Sequence, residues 1–115
     1  MALLSKNKGK VGEREAAELL REFGFEAARG VQYQGGADSQ DLKHNMTGFH
    51  IEVKRTERLK MWDAMDQARN DAKQGDVPLV LHRANRKDWV VILDAKQFME
   101  LLNRYVFEPQ EGSAS

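Results

Sequence analysis

The chain has 115 residues, 41% hydrophobic and 31% charged, with 18 basic and 18 acidic side chains that cancel to a formal net charge of zero. This fits a soluble globular domain with one modest core, and the lack of cysteine excludes a disulfide framework and a thiolate metal site. No apolar run approaches the ~20 residues of a membrane span, and no apolar stretch follows the N-terminal lysines as in a secretory signal, so a cytoplasmic location is expected.

Residues 1–10 are polar and basic after a short apolar start and read as a flexible arm. From about Val11 to Phe23, Gly12, Ala16, Leu19, Leu20 and Phe23 recur at helical spacing, with Gly24 as a left-handed C-terminal cap and Phe25 folding back. Glu13 falls in the first turn of that helix, where an acid complements the dipole. Phe25 to Tyr33 reads as a first strand carrying Arg29, followed by the loop Gln34-Gly35-Gly36-Ala37-Asp38-Ser39, either a plain hairpin loop or one that lies on a ligand. Gln40–His44 and Phe49–Arg55 read as paired strands, with Met46-Thr47-Gly48 as their hairpin turn. In the second of these, Phe49, Ile51 and Val53 point one way and His50, Glu52 and Lys54 the other.

Thr56 is a candidate N-cap for a helix to about Lys73, with Leu59, Trp62, Met65, Ala68 and Ala72 as its apolar stripe and Gln67 beside it. Leu79-Val80-Leu81 and Trp89–Leu93 read as two further strands around a turn at residues 84–87. Asp94 opens a last helix to about Arg104 with Phe98, Leu101, Leu102 and Tyr105 inward. Residues 106–115 are a polar tail. The order α-β-β-β-α-β-β-α gives an α/β fold with a central mixed sheet flanked by helices.

The stretch Asp41–Lys54 carries the chemistry. Asp41, Glu52 and Lys54 converge if the two strands pair, and two carboxylates with an ammonium suit a divalent metal and a water. Glu-x-Lys alone is weak, because such a pair on a strand face is usually a solvated ion pair worth about 0–1 kcal/mol. The histidines His44, His50 and His82 show no partner spacing of their own. Neutral net charge argues mildly against nucleic-acid binding, although cations cluster at Lys6–Arg14, Lys54–Lys60 and Arg83–Lys87.

Several short pieces occur in a specific order: Gly12-Glu13-Arg14-Glu15, Arg29 before Gly35-Gly36, Gln40-Asp41, Ile51-Glu52-Val53-Lys54, then Gln67, Pro78–His82 and Lys87-Asp88-Trp89. In that order and spacing the chain resembles the PD-(D/E)XK nuclease superfamily, and within it the small Holliday-junction-resolvase-type nucleases, including those of phages and prophages. The resemblance runs from Lys8 to about Leu102, with the nuclease domain at 11–105. Gln40 replaces the usual proline, and Gln34 replaces a frequent loop serine.

The resemblance implies a restriction-endonuclease-like core and a Mg²⁺-dependent endonuclease, with Mn²⁺ substituting, acting on branched DNA. It implies Asp41, Glu52 and the Val53 carbonyl as metal ligands with Glu13 assisting. Lys54 is implied beside the attacking water and Gln67 as a hydrogen-bonding support. It further implies phosphate contacts from Lys8, Lys10, Arg14, Arg29, Arg55 and Arg58 with the Gly35-Gly36 loop. A homodimer matched to the two-fold junction is expected, with contacts around Met61, Trp62, Met65 or the last strand. The setting would be the nucleoid of a bacterial or phage-infected cell.

Overall fold

The computed structural model describes residues 2–30 and 42–108, with side chains from residue 9 onward. Its elements are α1 (Ala2–Glu22), β1 (Ala27–Arg29), β2 (Leu42–His44), β3 (Phe49–Arg55), α2 (Met61–Asp71), β4 (Val77–Arg83), β5 (Val90–Leu93) and α3 (Ala95–Phe107). The chain order of helices and strands is the one read from the sequence. Asp41, Gln40 and the Gly35-Gly36 loop lie outside the described residues, as does the tail beyond residue 108.

β4 is the centre of a three-stranded mixed sheet ordered β3-β4-β5. β3 runs parallel to it, with Ile51 opposite Leu79 and Val53 opposite Leu81. β5 runs antiparallel, with Val80 opposite Ile92. Parallel neighbours need a crossover, and α2 supplies it. β1 and β2 form a separate antiparallel pair, Ala28 opposite Lys43.

This corrects the expected hairpin. The turn at Met46-Thr47-Gly48 is real: Gly48 takes φ +91° and the Phe49 N–H donates to the Met46 carbonyl at 3.2 Å. It joins strands of two different sheets, however, because Val77 donates to the Gly48 carbonyl at 2.8 Å and draws β3 onto β4.

α1 runs from Ala2, so residues 2–10 belong to the helix instead of forming an arm. Ala, Leu and Lys are strong helix formers, and no proline interrupts them. The helix ends as expected. Gly24 has φ +91°, Phe25 N–H donates to Leu20 and Gly24 N–H to Arg21, the paired bonds of a Schellman cap.

Ala16, Ala17 and Leu20 of α1 pack with Leu42, Ile51, Leu79 and Leu81 in one core cluster. Gly12 sets how closely the helix approaches. A Cβ there would lie 2.5 Å from Arg55 Cβ, well inside contact distance, so only glycine admits this fit. A second cluster joins Ala64, Met65 and Ala68 of α2 to Val80.

α2 starts at Met61, not Thr56, and Lys60 stands at its N-cap. The Thr56 N–H donates instead to the Arg83 carbonyl at 3.2 Å and prolongs the β3–β4 ladder, so the backbone is still extended where a cap was expected. Trp62 is 68% exposed and lies off the buried stripe. Asp94 does occupy the N-cap position of α3, yet its side chain makes no capping bond. It is taken by Arg69 of α2, 3.4 Å from Nε.

α3 departs most from expectation, since none of its residues is buried. Phe98, Leu102 and Tyr105 are 46%, 41% and 72% exposed. Between α3 and the sheet runs an open groove of about 590 Å³, lined by Phe49, Leu79, Val91 and Leu93 on one side and Phe98 and Leu101 on the other.

Candidate functional site

The period-two reading of β3 holds. Ile51 is buried, Phe49 and Val53 pack against the first core cluster, and His50, Glu52 and Lys54 form the opposite row. That row faces α2, whose Gln67 and Asp71 are four residues apart and therefore share one helix face. The crossover places them against the strand in reverse order. The Lys54 ammonium donates to Gln67 Oε1 at 2.7 Å, while Asp71 groups with His50 and Glu52, one ligand atom of each lying within 4.8 Å of the others.

Glu52 is the hinge of this row. Its Oε1 is 3.4 Å from His50 Nε2, and its Oε2 is 3.9 Å from Lys54 Nζ. Only 14% of its side chain is exposed. Burial pushes its carboxyl above the ordinary 4.5, with Lys54 and the His50 hydrogen bond pulling the other way. The carboxylate is thus held partly desolvated, with burial outweighing the nearby Lys54 charge.

His44 lies close by. Its Nδ1 accepts from the Met46 N–H at 3.0 Å, and burial, reinforced by His50, lowers its pKa below 6.5.

Glu13 sits in the middle of α1 and not in the first turn, which holds no acid, so dipole complementarity does not account for it. Its side chain is 13% exposed and its Oε1 lies 3.3 Å from Arg29 Nε. Gly12 brings α1 close to β3, and the next residue carries a largely buried carboxylate on that helix.

The basic residues divide. Lys10, Arg14 and Arg58 are exposed. Arg55 is different. It is 11% exposed, donates to Glu15 Oε1 at 3.1 Å and lies 3.6 Å from Glu57. Arg83 joins the same Glu15 oxygen at 3.2 Å. Arg55 therefore ties β3 to α1, and Arg29 ties β1 to α1 through Glu13. The Lys8 side chain and Gly35-Gly36 fall outside the described residues.

The chain matches no family model, no curated protein and no solved structure.

Of the expected site, β3 and α2 bring together Glu52, Lys54 and Gln67. Val53 stands between the first two, with its side chain on the core face, and Asp41 lies outside the described residues. The structure adds His50 and Asp71 to this face. The signal was present: His50 is two residues before Glu52 on the same strand face, and Asp71 is four after Gln67 on the same helix face.

Proposed function

We propose that this chain is a metal-dependent DNA endonuclease of restriction-endonuclease-like topology that hydrolyses phosphodiester bonds in branched DNA, four-way junctions foremost. The observation that carries the reading is the Glu52–Lys54–Gln67 group. A half-buried carboxylate and an ammonium stand two residues apart on one strand face, and a neutral amide from the crossover helix fixes the ammonium in place.

Such an arrangement suits phosphoryl chemistry. Gln67 Oε1 accepts a hydrogen bond from Lys54 and orients Nζ without neutralising it, so the positive charge remains available for the attacking oxygen or the phosphate. The partly desolvated Glu52 carboxylate is a hard oxygen donor, and the Val53 carbonyl would add a neutral one. Both fit Mg²⁺, as would Asp41, with Glu13 in support. The ion would supply Lewis acidity and an acidified water. The products are 5′-phosphate and 3′-hydroxyl ends.

Exposed Lys10, Arg14 and Arg58 would contact phosphates, giving shape recognition and affinity that falls steeply with salt. Arg29 and Arg55 would contribute less, because their charges are already matched by carboxylates. A homodimer would present two sites to the two-fold junction. Met65 is buried and offers no contact, whereas Val90 and Val91 on β5 and the apolar face of α3 are open to a second copy.

The test is cleavage of a four-way junction, a flap, a single strand and a plain duplex in Mg²⁺ by the wild type and by Glu52→Ala. Junction cleavage is expected for the wild type and loss of about 10²-fold or more for the variant. Equal cleavage by both proteins removes the site assignment. Preference for a flap or duplex keeps the chemistry and changes the substrate. Binding without cleavage points to a non-catalytic DNA-binding module.

A further inference from the structure

We propose that His50, Glu52 and Asp71 form a binding site for a borderline divalent transition metal, distinct in its ligands from the oxygen-only set assigned to Mg²⁺. The proposal rests on the phosphodiesterase reading only in sharing Glu52; its own support is the geometry of β3 and α2.

The three ligand atoms lie within 4.8 Å of one another, two from alternate residues of a strand and one from the last residue of the helix packed on it. The His50 Nε2 to Glu52 Oε1 separation is 3.4 Å. That is long for a charged hydrogen bond, which closes to ~2.8 Å. It matches the ~3.4 Å between two ligands that each reach a tetrahedral metal at ~2.1 Å. That spacing suits two ligands of one metal as well as the hydrogen bond, and Asp71 offers a third ligand atom within 4.8 Å of both. His50 and Glu52 are mostly buried, so their positions are fixed, while Asp71 is exposed and leaves the cup open to solvent.

Charge agrees with this assignment. Two carboxylates and an imidazole give a site whose formal charge opposes a divalent cation. Lys54, the neighbouring cation, is hydrogen-bonded to Gln67 and approaches the other Glu52 oxygen, Oε2. Oε1 remains directed at His50. The imidazole sets the preference, because nitrogen ligation favours Zn²⁺ and, more weakly, Mn²⁺ over Mg²⁺.

Calorimetry of the full chain with Zn²⁺, Mn²⁺ and Mg²⁺ tests this, with His50→Ala and Asp71→Asn as variants. Expected are one Zn²⁺ per chain, weaker Mn²⁺, and a loss of about tenfold or more in Zn²⁺ affinity in each variant. Mg²⁺ affinity should fall much less than Zn²⁺ affinity in His50→Ala. The three histidines make the ring nitrogen spectrum readable, and Zn²⁺ should move the His50 ring signal while leaving that of His82 in place. Equal Zn²⁺ affinity in wild type and both variants overturns the proposal, as does a wild-type His50 signal unmoved by Zn²⁺, and this second readout decides if a variant fails to fold. Zn²⁺ binding that depends on His50, in a protein that cleaves no DNA in Mg²⁺, keeps this site and discards the phosphodiesterase reading.

Discussion

At the β3 end of the sheet, α1 and α2 close over the strands: Gly12 touches Arg55, Met65 and Ala68 are buried, and charged groups are paired across elements. At the β5 end, Val90 and Val91 are 51% and 54% exposed, and α3 buries none of its residues. Both helices, α2 and α3, carry apolar residues at helical spacing. The difference comes from connection. α2 is tethered at both ends because it must carry the chain from β3 to its parallel neighbour β4, which holds it on the sheet. Among the described residues, α3 is joined to the rest of the fold at its N-terminal end, through Leu93 and the Arg69–Asp94 pair. An amphipathic pattern shows which face of a helix seeks burial, and the chain path decides whether anything is there to bury it.

Substitutions on the two ends should separate them. Met65→Ala, at a side chain 2% exposed, should lower unfolding free energy by about 2–5 kcal/mol in urea titration. A loss below about 1 kcal/mol would mean that α2 is not held as described. Gly12→Ala should cost about 1–3 kcal/mol, because the added methyl meets Arg55 at 2.5 Å and the helix must shift. On an open surface the same change would stabilise a helix, so even the sign is informative.

Glu52→Gln probes the polar face of the same end. Burial raises the Glu52 pKa, so its ionised form opposes folding. That cost is full above the raised folded-state value and gone below the ordinary 4.5. The variant should therefore melt a few degrees above wild type at pH 8, with the gap closing toward pH 4. A gap that widens on acidification would show that Glu52 is stabilised as an anion. The smallest effect belongs to the other end. Leu102→Ala on α3 should change the stability of the monomer by no more than about 0.5 kcal/mol. A larger loss that grows with protein concentration would indicate a face covered by a second copy.

Much of this was legible in the residues. The alternation of Phe49 to Lys54 defined β3 to its end residues, because its two faces differ so sharply in chemistry. Gly24 marked the end of α1. The start of α1 was not legible, since a lysine-rich helix and a solvated arm have the same composition. Pairing was the harder problem. Met46-Thr47-Gly48 is a sound turn, but a turn does not say which sheet its two strands join. Thr56 has the right chemistry for an N-cap, and the ladder to Arg83 overrode it. Glu52, Lys54 and Gln67 were found as a group, while His50 and Asp71 were passed over because their relation appears only when the phase of strand and helix are superposed.

His50, Glu52, Lys54, Gln67 and Asp71 all lie on the single crossover β3–α2–β4, from Phe49 to Arg83. The constellation is therefore sensitive to length in one place and tolerant in another. One residue inserted between Gln67 and Asp71 would leave them ~140° apart around the helix axis and dissolve the shared face. One inserted at 73–75, in the turn before β4, would lengthen a solvent-exposed connection at little cost. Changes of chain length in this protein should accordingly collect in the turns of the crossover and be excluded from its helix, whatever happens to the sequence on either side.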